Sequence, residues 1–322
     1  MLVRLISLTI AMVESNTLLS VIGLMQATAF WLCDRDIKKA LNLSAFFMSL
    51  VFISILFADP ALAKNCTSSM LTPPEKAVVK WVYDGDTLLL RDKRKIRVIG
   101  IDTPEVRHYQ QKAQAYGAQA KEALRELLKR FHYQVLLRYG SERKDRYSRV
   151  LAHVYLPDGT NISNWLLERG FAKTMAFPPN IKLAKCYKKS EEVAQKQSLK
   201  LWHYKNNQIK TIASLSQRAT GYIRLKAMIK KIKHHKKSWV AILKGNDKRP
   251  IRIKIKKKYF KYFKSIKLNK LVNKMIVVTG MLKNRSGKRT IYVSYPTQFT
   301  ILPRGSKIKG TGKATVQWSS KK

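Results

Sequence analysis

Residues 83–105 read YDGDTLLLRDKRKIRVIGIDTPE. The stretch gathers five acids, Asp84, Asp86, Asp92, Asp102 and Glu105, around Arg97, in a chain with 64 Lys and Arg against 19 Asp and Glu. DGD is a turn signal between two β-like runs, AVVKWVY and TLLLRD. KIRVIGI follows as a third strand, whose alternation puts Ile96, Val98 and then Gly100 on one side, Arg97 and Ile99 on the other. Clustered carboxylates in so cationic a chain fit a hard metal ion. Asp86 and Asp102 offer anionic oxygens, and backbone carbonyls of a turn such as DTP add more, a set suited to Ca²⁺ rather than Zn²⁺. Taken singly, each motif has a plainer reading: DGDT as a hairpin turn, DTPE as a helix-entry cap.

Downstream, QKAQAYGAQAKEALRELLKRF (111–131) carries apolar residues at helical spacing, from Ala120 to Phe131. HYQVLLRYG and RVLAHVYL read as two more strands joined by SERKDRYS. ISNWLLERG predicts a short helix stopped by Gly170. FAKTMAF reads as extended, and residues 182–202 as a second long helix. Strands first with helices packed against them argue for an α+β unit built on a small barrel.

The motifs together resemble the staphylococcal nuclease (thermonuclease) family: DGDT at 84–87, IRVIGIDTPE at 96–105, DRYSR at 145–149, LLERGFAK at 166–173 and a closing LW at 201–202. The resemblance spans about residues 76–202. It implies a five-stranded OB-type barrel with packed helices and Ca²⁺-dependent cleavage of DNA and RNA. It implies Asp86 and Asp102 as calcium carboxylates, the Thr103 backbone carbonyl as a further ligand, Glu105 as general base, Arg97 and Arg149 as the phosphate clamp, Tyr147 as a nucleotide-binding residue and Asp84 in a supporting role. Arg146 stands where the family usually has lysine and keeps the charge. TMAFPPN departs from the family, so the second stacking tyrosine is unmatched, with Phe177 as a replacement. The chemistry agrees independently of the family. Guanidinium forks neutralise a phosphodiester's charge bidentately, and a carboxylate can take the proton of attacking water. Two rivals are a non-catalytic nucleic-acid-binding protein on the same fold and a cationic protein bound to anionic envelope polymers or membrane.

Beyond Asn206 the composition changes. There the chain carries 32 Lys or Arg and one acid, Asp247, within a total net charge of +45. Such a field attracts polyanions, nucleic acid first. Three strands, a helix in YFKYFKSIKLNKLV and two more strands give the order of an OB-fold. The region therefore reads as a second, basic OB-like barrel domain suited to single-stranded nucleic acid, with Phe260 and Phe263 in its core and Trp239 and Tyr292 assigned to neither core nor surface. The expected organisation is a signal or targeting region at 1–63, a linker at 64–75, a nuclease domain at 76–204, a linker at 205–219, the basic domain at 220–303 and a disordered basic tail at 304–322.

The apolar run at 41–57, behind Lys38 and Lys39 and before ADPALAK, has the form of a signal peptide cleaved after Ala63. That implies a secreted or periplasmic protein. The apolar run at 17–33 leaves a misassigned start or an N-terminal membrane anchor as alternatives. Cleavage would remove Cys33 and leave Cys66 and Cys186, either as a disulfide or as independent thiols. Three cysteines give no zinc-like spacing. No heptads point to oligomers, so a monomer is expected.

Overall fold

The computed structural model describes Cys66 and residues 74–106, 113–204, 207–245 and 250–303. The expected signal region at 1–63 and the tail at 304–322 lie outside the described residues. Among the described residues, no helix is long and apolar enough to cross a membrane.

The first barrel is closed by strands in the order β1-β2-β3-β6-β5. These are β1 (Glu75–Val82), β2 (Thr87–Leu90), β3 (Lys95–Val98), β5 (Gln134–Lys144) and β6 (Val150–Tyr155). Alternation decides what each strand buries: Leu88, Leu90, Ile96, Val98, Leu137 and Val154 all face the core. The predicted third strand is broken. Gly100 has φ +91°, a left-handed conformation, and a side chain there would collide with the Tyr187 ring. The chain turns, and β4 (Ile101–Asp102) leaves the barrel to pair with β7 (Lys173–Thr174). This break carries Asp102 out of the wall.

Among the described residues, three helices pack on the barrel. α1 (Gly117–Lys129) buries Ala120, Leu124, Leu127 and Leu128. α2 (Ile162–Glu168) is capped by Asn161, whose side chain accepts the Asn164 N–H at 3.0 Å. It stops at Gly170, φ +73°. α3 (Ala184–Lys196) is shorter than the expected 182–202 helix. Ser198 and Lys200 adopt positive φ, and a 3₁₀ turn at Lys200–Trp202 drives Leu201 and Trp202 into the core. Cys186 on α3 is disulfide-bonded to Cys66, with Cα atoms 5.8 Å apart.

The second barrel comprises β9 (Gly221–His235), β10 (Ser238–Leu243), β11 (Arg252–Lys256), β13 (Lys288–Val293) and β12 (Met275–Arg285), closed by pairing of β12 with β9. The short strand β8 (Ile209–Thr211), inside the expected linker, joins β9 in parallel, and β14 (Phe299–Ile301) joins β12. The expected helix in YFKYFKSIKLNKLV is replaced by 3₁₀ turns at Lys257–Phe263 and Leu268–Leu271. Lysines repeat through that run with no acid among them, and no side chain caps its start, so an α-helix there would stack like charges at i, i+3 and i, i+4. Phe263 is buried as expected, and Trp239 also lies wholly in the core.

Candidate active site

The DGD and DTP turns meet face to face. A side chain at Gly85 would lie 2.6 Å from Thr103 Cγ2, so only glycine allows this approach. Asp84 accepts the Asp86 backbone N–H at 2.9 Å and fixes the turn. Asp86, 5% exposed, accepts the Thr103 N–H at 2.8 Å and the Thr87 hydroxyl at 3.0 Å. Arg97 sits on the outward side of β3 while Ile96 and Val98 face the core. Its guanidinium bridges the acids, with Nη1 2.9 Å from Asp86 and Nη2 3.3 Å from Asp102.

Burial pushes the Asp86 carboxyl up to about 7; Asp84 and Asp102 add to the effect, while Arg97 and the Thr103 N–H oppose it. Burial also raises Asp102, against Arg97 and Lys173. Three crowded carboxyls with one close arginine favour further positive charge. The donor set is all oxygen, and the Thr103 hydroxyl is buried without a hydrogen-bond partner. These features fit a hard divalent cation. Among the described residues no three acidic, His or Cys side chains converge tightly enough to hold an ion alone. Two carboxylates would need a carbonyl and water to complete the shell.

Glu105 is exposed at the end of the same turn. Its backbone carbonyl accepts the Gln114 N–H at 3.0 Å, and Gly117 at the start of α1 leaves room for that carbonyl, since a side chain there would come within 2.5 Å. The helix thus docks on the Glu105 backbone and leaves the carboxylate at the surface.

Arg146, Tyr147 and Arg149 lie in the β5–β6 hairpin. β6 runs parallel to β3 with Ile96 opposite Val150 and Arg97 opposite Leu151, so Arg149 enters the strand that flanks Arg97. Asp145 holds the hairpin tip. One carboxylate oxygen accepts the Tyr147 and Arg149 N–H groups at 2.8 and 3.0 Å, and the other takes Arg149 Nε and Nη2 at 2.8 and 2.7 Å. Partial burial works to raise Asp145, but the bonds from Arg149 and Tyr147 outweigh it and hold the carboxyl below its ordinary range. Tyr147 is 63% exposed, with Arg146 stacked on its ring and donating to its hydroxyl at 2.6 Å.

Residues 95–204 match the family described as staphylococcal nuclease homologue. The chain is 36% identical over 133 residues to a thermonuclease of Staphylococcus intermedius, covering 40% of this chain and 76% of that relative. The chain belongs to the staphylococcal nuclease family. It is also 34% identical over 125 residues to the thermonuclease of Staphylococcus hyicus, covering 38% of this chain and 72% of the relative. Against endonuclease YncB of Bacillus subtilis it is 32% identical over 123 residues, with 37% of this chain and 57% of the relative covered. As a member of the staphylococcal nuclease family the protein is an enzyme, a nuclease that hydrolyses phosphodiester bonds. The family match ends at residue 204, before the second barrel begins.

Within this staphylococcal nuclease fold, Asp84, Asp86, Arg97, Asp102 and Thr103 form one contact set. Glu105 follows on the same turn, and Arg146, Tyr147 and Arg149 form a second set anchored by Asp145. Sequence reasoning overlooked three groups. Asp145 was visible as the acid four residues before Arg149. Lys173 pairs with Asp102 across β4 and β7. Glu191, fully buried on α3, accepts the Thr174 N–H at 2.8 Å and binds Lys188 at 2.6 Å, and so holds β7 in place. Neither Lys173 nor Glu191 had a local signal, because both act through pairing distant in sequence.

Proposed function

We propose that the protein is an exported, calcium-dependent nuclease acting on DNA and RNA, whose basic second barrel binds nucleic acid. The observation that carries this reading is the contact set in which the Asp86 and Asp102 carboxylates meet around Arg97 on two opposed turns. Asp86, Asp102 and the Thr103 carbonyl would hold the cation, with Asp84 fixing the turn; when bound, such an ion supplies Lewis-acid polarisation of a phosphoryl oxygen. Arg97 and Arg149 bind the phosphodiester and offset the second negative charge that develops as water adds to phosphorus. Glu105, at the surface end of the turn, takes the proton of that water. The phosphorus–oxygen bond to the leaving sugar breaks, and the departing oxygen takes a proton from solvent. Tyr147, flanked by Arg146, offers a cationic aromatic face to the adjoining nucleotide.

Export is supported by the apolar run at 41–57 with its small-residue cleavage site, and by the Cys66–Cys186 disulfide, a bond suited to an oxidising compartment. Nucleic-acid binding by the second barrel is supported by the near absence of acids beyond Asn206.

The test is cleavage of plasmid DNA and single-stranded RNA with Ca²⁺ and then with EGTA. Both substrates are cut with Ca²⁺ and spared with EGTA, and Glu105→Gln lowers the rate by about a hundredfold or more, the scale of a lost general base. Binding without cleavage in Ca²⁺ would instead establish a non-catalytic binding protein.

A further inference from the structure

We infer that the second barrel is one wall of the substrate channel, and that an unpaired strand leaving the acid cluster runs across the outer face of β12, β13 and β11. This rests on the nuclease reading above and adds where the strand goes and which residues select it.

A groove of about 490 Å³ lies between the two barrels and opens at Asp102. One side is the 173–177 segment, which begins with β7, the partner of β4; the other is the second barrel's sheet. Strand alternation builds that sheet face. Lys254 lies between Ile253 and Ile255, both fully buried, and Tyr292 lies between Ile291 and Val293, also buried, so Lys254 and Tyr292 must point away from the core. They sit side by side in the parallel β11–β13 register. Lys283 of β12 reaches over the Tyr292 ring at 6.0 Å.

The chemistry of this face is that of a single-strand site. Among the described residues, Lys173, Lys188, Lys254, Lys256, Lys283 and Arg285 line the groove with one acid, Asp102. Glu191 holds Lys188 and Lys173 sits over Tyr222 beside Asp102, so the cationic track for a strand is the second barrel's Lys254, Lys256, Lys283 and Arg285. Two aromatic rings stay open to solvent within it, Phe177 at 58% and Tyr292 at 39% exposure. Exposed aromatics beside a cationic track are what stacked bases and their phosphates require. The groove has the volume of a small-ligand site, which admits an unpaired strand along the sheet and excludes a duplex. The walls are joined: Ser294 of the second barrel donates to the Ala176 carbonyl at 2.9 Å, and Tyr222 lies beneath the Lys173 ammonium at 4.1 Å. The catalytic end and the binding face are therefore held in one frame.

The test uses the intact protein with Tyr292→Ala and Lys254→Glu. Lys230→Glu, an exposed site on β9 outside the groove, makes the same charge change as Lys254→Glu and serves as comparator. The reading is kcat/KM for a single-stranded oligonucleotide of about 12 nucleotides divided by that for a dinucleotide, a length within one strand-binding site. Tyr292→Ala and Lys254→Glu lower this ratio about five- to hundredfold through KM, the loss of a stacked base or a phosphate contact, and Lys230→Glu leaves it near wild type. An unchanged ratio in the two groove variants overturns the inference while the nuclease reading stands. If wild type cleaves neither substrate, that reading has failed, and anisotropy of a fluorescein-labelled oligonucleotide decides the groove alone. The same loss of affinity in the groove variants sustains it, and equal affinity overturns it.

Discussion

Asp145 organises two candidate substrate-binding side chains with one carboxylate. It ties the Tyr147 and Arg149 backbones through one oxygen and the Arg149 guanidinium through the other. These two jobs can be separated. Asp145→Asn keeps the backbone acceptor but loses the ion pair, so Arg149 drifts while the turn holds. Asp145→Ala loses both. We expect kcat/KM on single-stranded DNA to fall up to about a hundredfold in each, the scale of a displaced catalytic group, with thermal stability lowered only in Asp145→Ala. Equal melting temperatures for the two variants would show that the turn does not need the side-chain acceptor. The acid cluster itself was legible in the sequence because its members sit in two contiguous motifs, DGDT and IDTPE. Asp145 was quoted inside DRYSR yet given no role, since an Asp four residues from an Arg more often marks an exposed pair than a positioning device.

At the scale of elements, α3 is fixed to the first barrel at adjacent residues. Cys186 is bonded to Cys66, and the Tyr187 hydroxyl meets His153 Nδ1 at 2.8 Å and Asn161. The disulfide closes a separation of 120 residues, which in the chain-entropy model stabilises by up to about 4–5 kcal/mol. Cys66→Ala should therefore unfold at markedly lower denaturant, and dithiothreitol should destabilise wild type while leaving that variant unchanged. His153 gives a pH signature. Burial, helped by the Lys182 charge, pushes its imidazole down to about 4, below the ordinary value near 6.5. Between those values the unfolded chain binds a proton that the folded chain refuses, so stability is full above pH ~6.5 and falls as pH drops toward ~4, by up to about 3 kcal/mol. In His153→Gln the denaturation midpoint should lose less than wild type from pH 7 to pH 4.5; parallel losses would remove His153 as the cause. Elements with strong periodicity and caps, such as α2 with Asn161 and Gly170, were readable from the chain. The break at Gly100 and the end of α3 at Lys196 were not, because they answer to the Tyr187 ring and to the burial of Trp202. The lysine-rich 3₁₀ turns misled through apolar spacing alone, since the fixed packing of Phe263 and Leu271 overrides a helical period that like charges oppose.

For the whole molecule, the net charge of +45 is unevenly held, with 32 cations and one acid beyond Asn206. A uniform surface field and a groove make different predictions about salt. A field attracts any polyanion weakly and is screened within about 10 Å at 0.1 M salt. A groove whose second-barrel cations Lys254, Lys256, Lys283 and Arg285 contact one strand releases a defined number of counterions, with a slope of log K on log salt near −0.7 per phosphate contact. Full engagement gives a slope of about −3, so affinity should fall roughly fiftyfold between 50 and 200 mM salt. The measurement is anisotropy of a labelled single strand on the intact Glu105→Gln variant, which consumes its probe about a hundredfold more slowly than wild type. Lys254→Glu should make the slope shallower by roughly 0.7, because one contact is gone, whereas Lys230→Glu, outside the groove, should leave both slope and affinity near wild type. A slope near −1 for the unmodified groove would mean that charge is spread rather than directed, and that the second barrel acts as a tether. A slope near −3 that loses one step with Lys254 would mean that the two barrels bind their strand as a single surface.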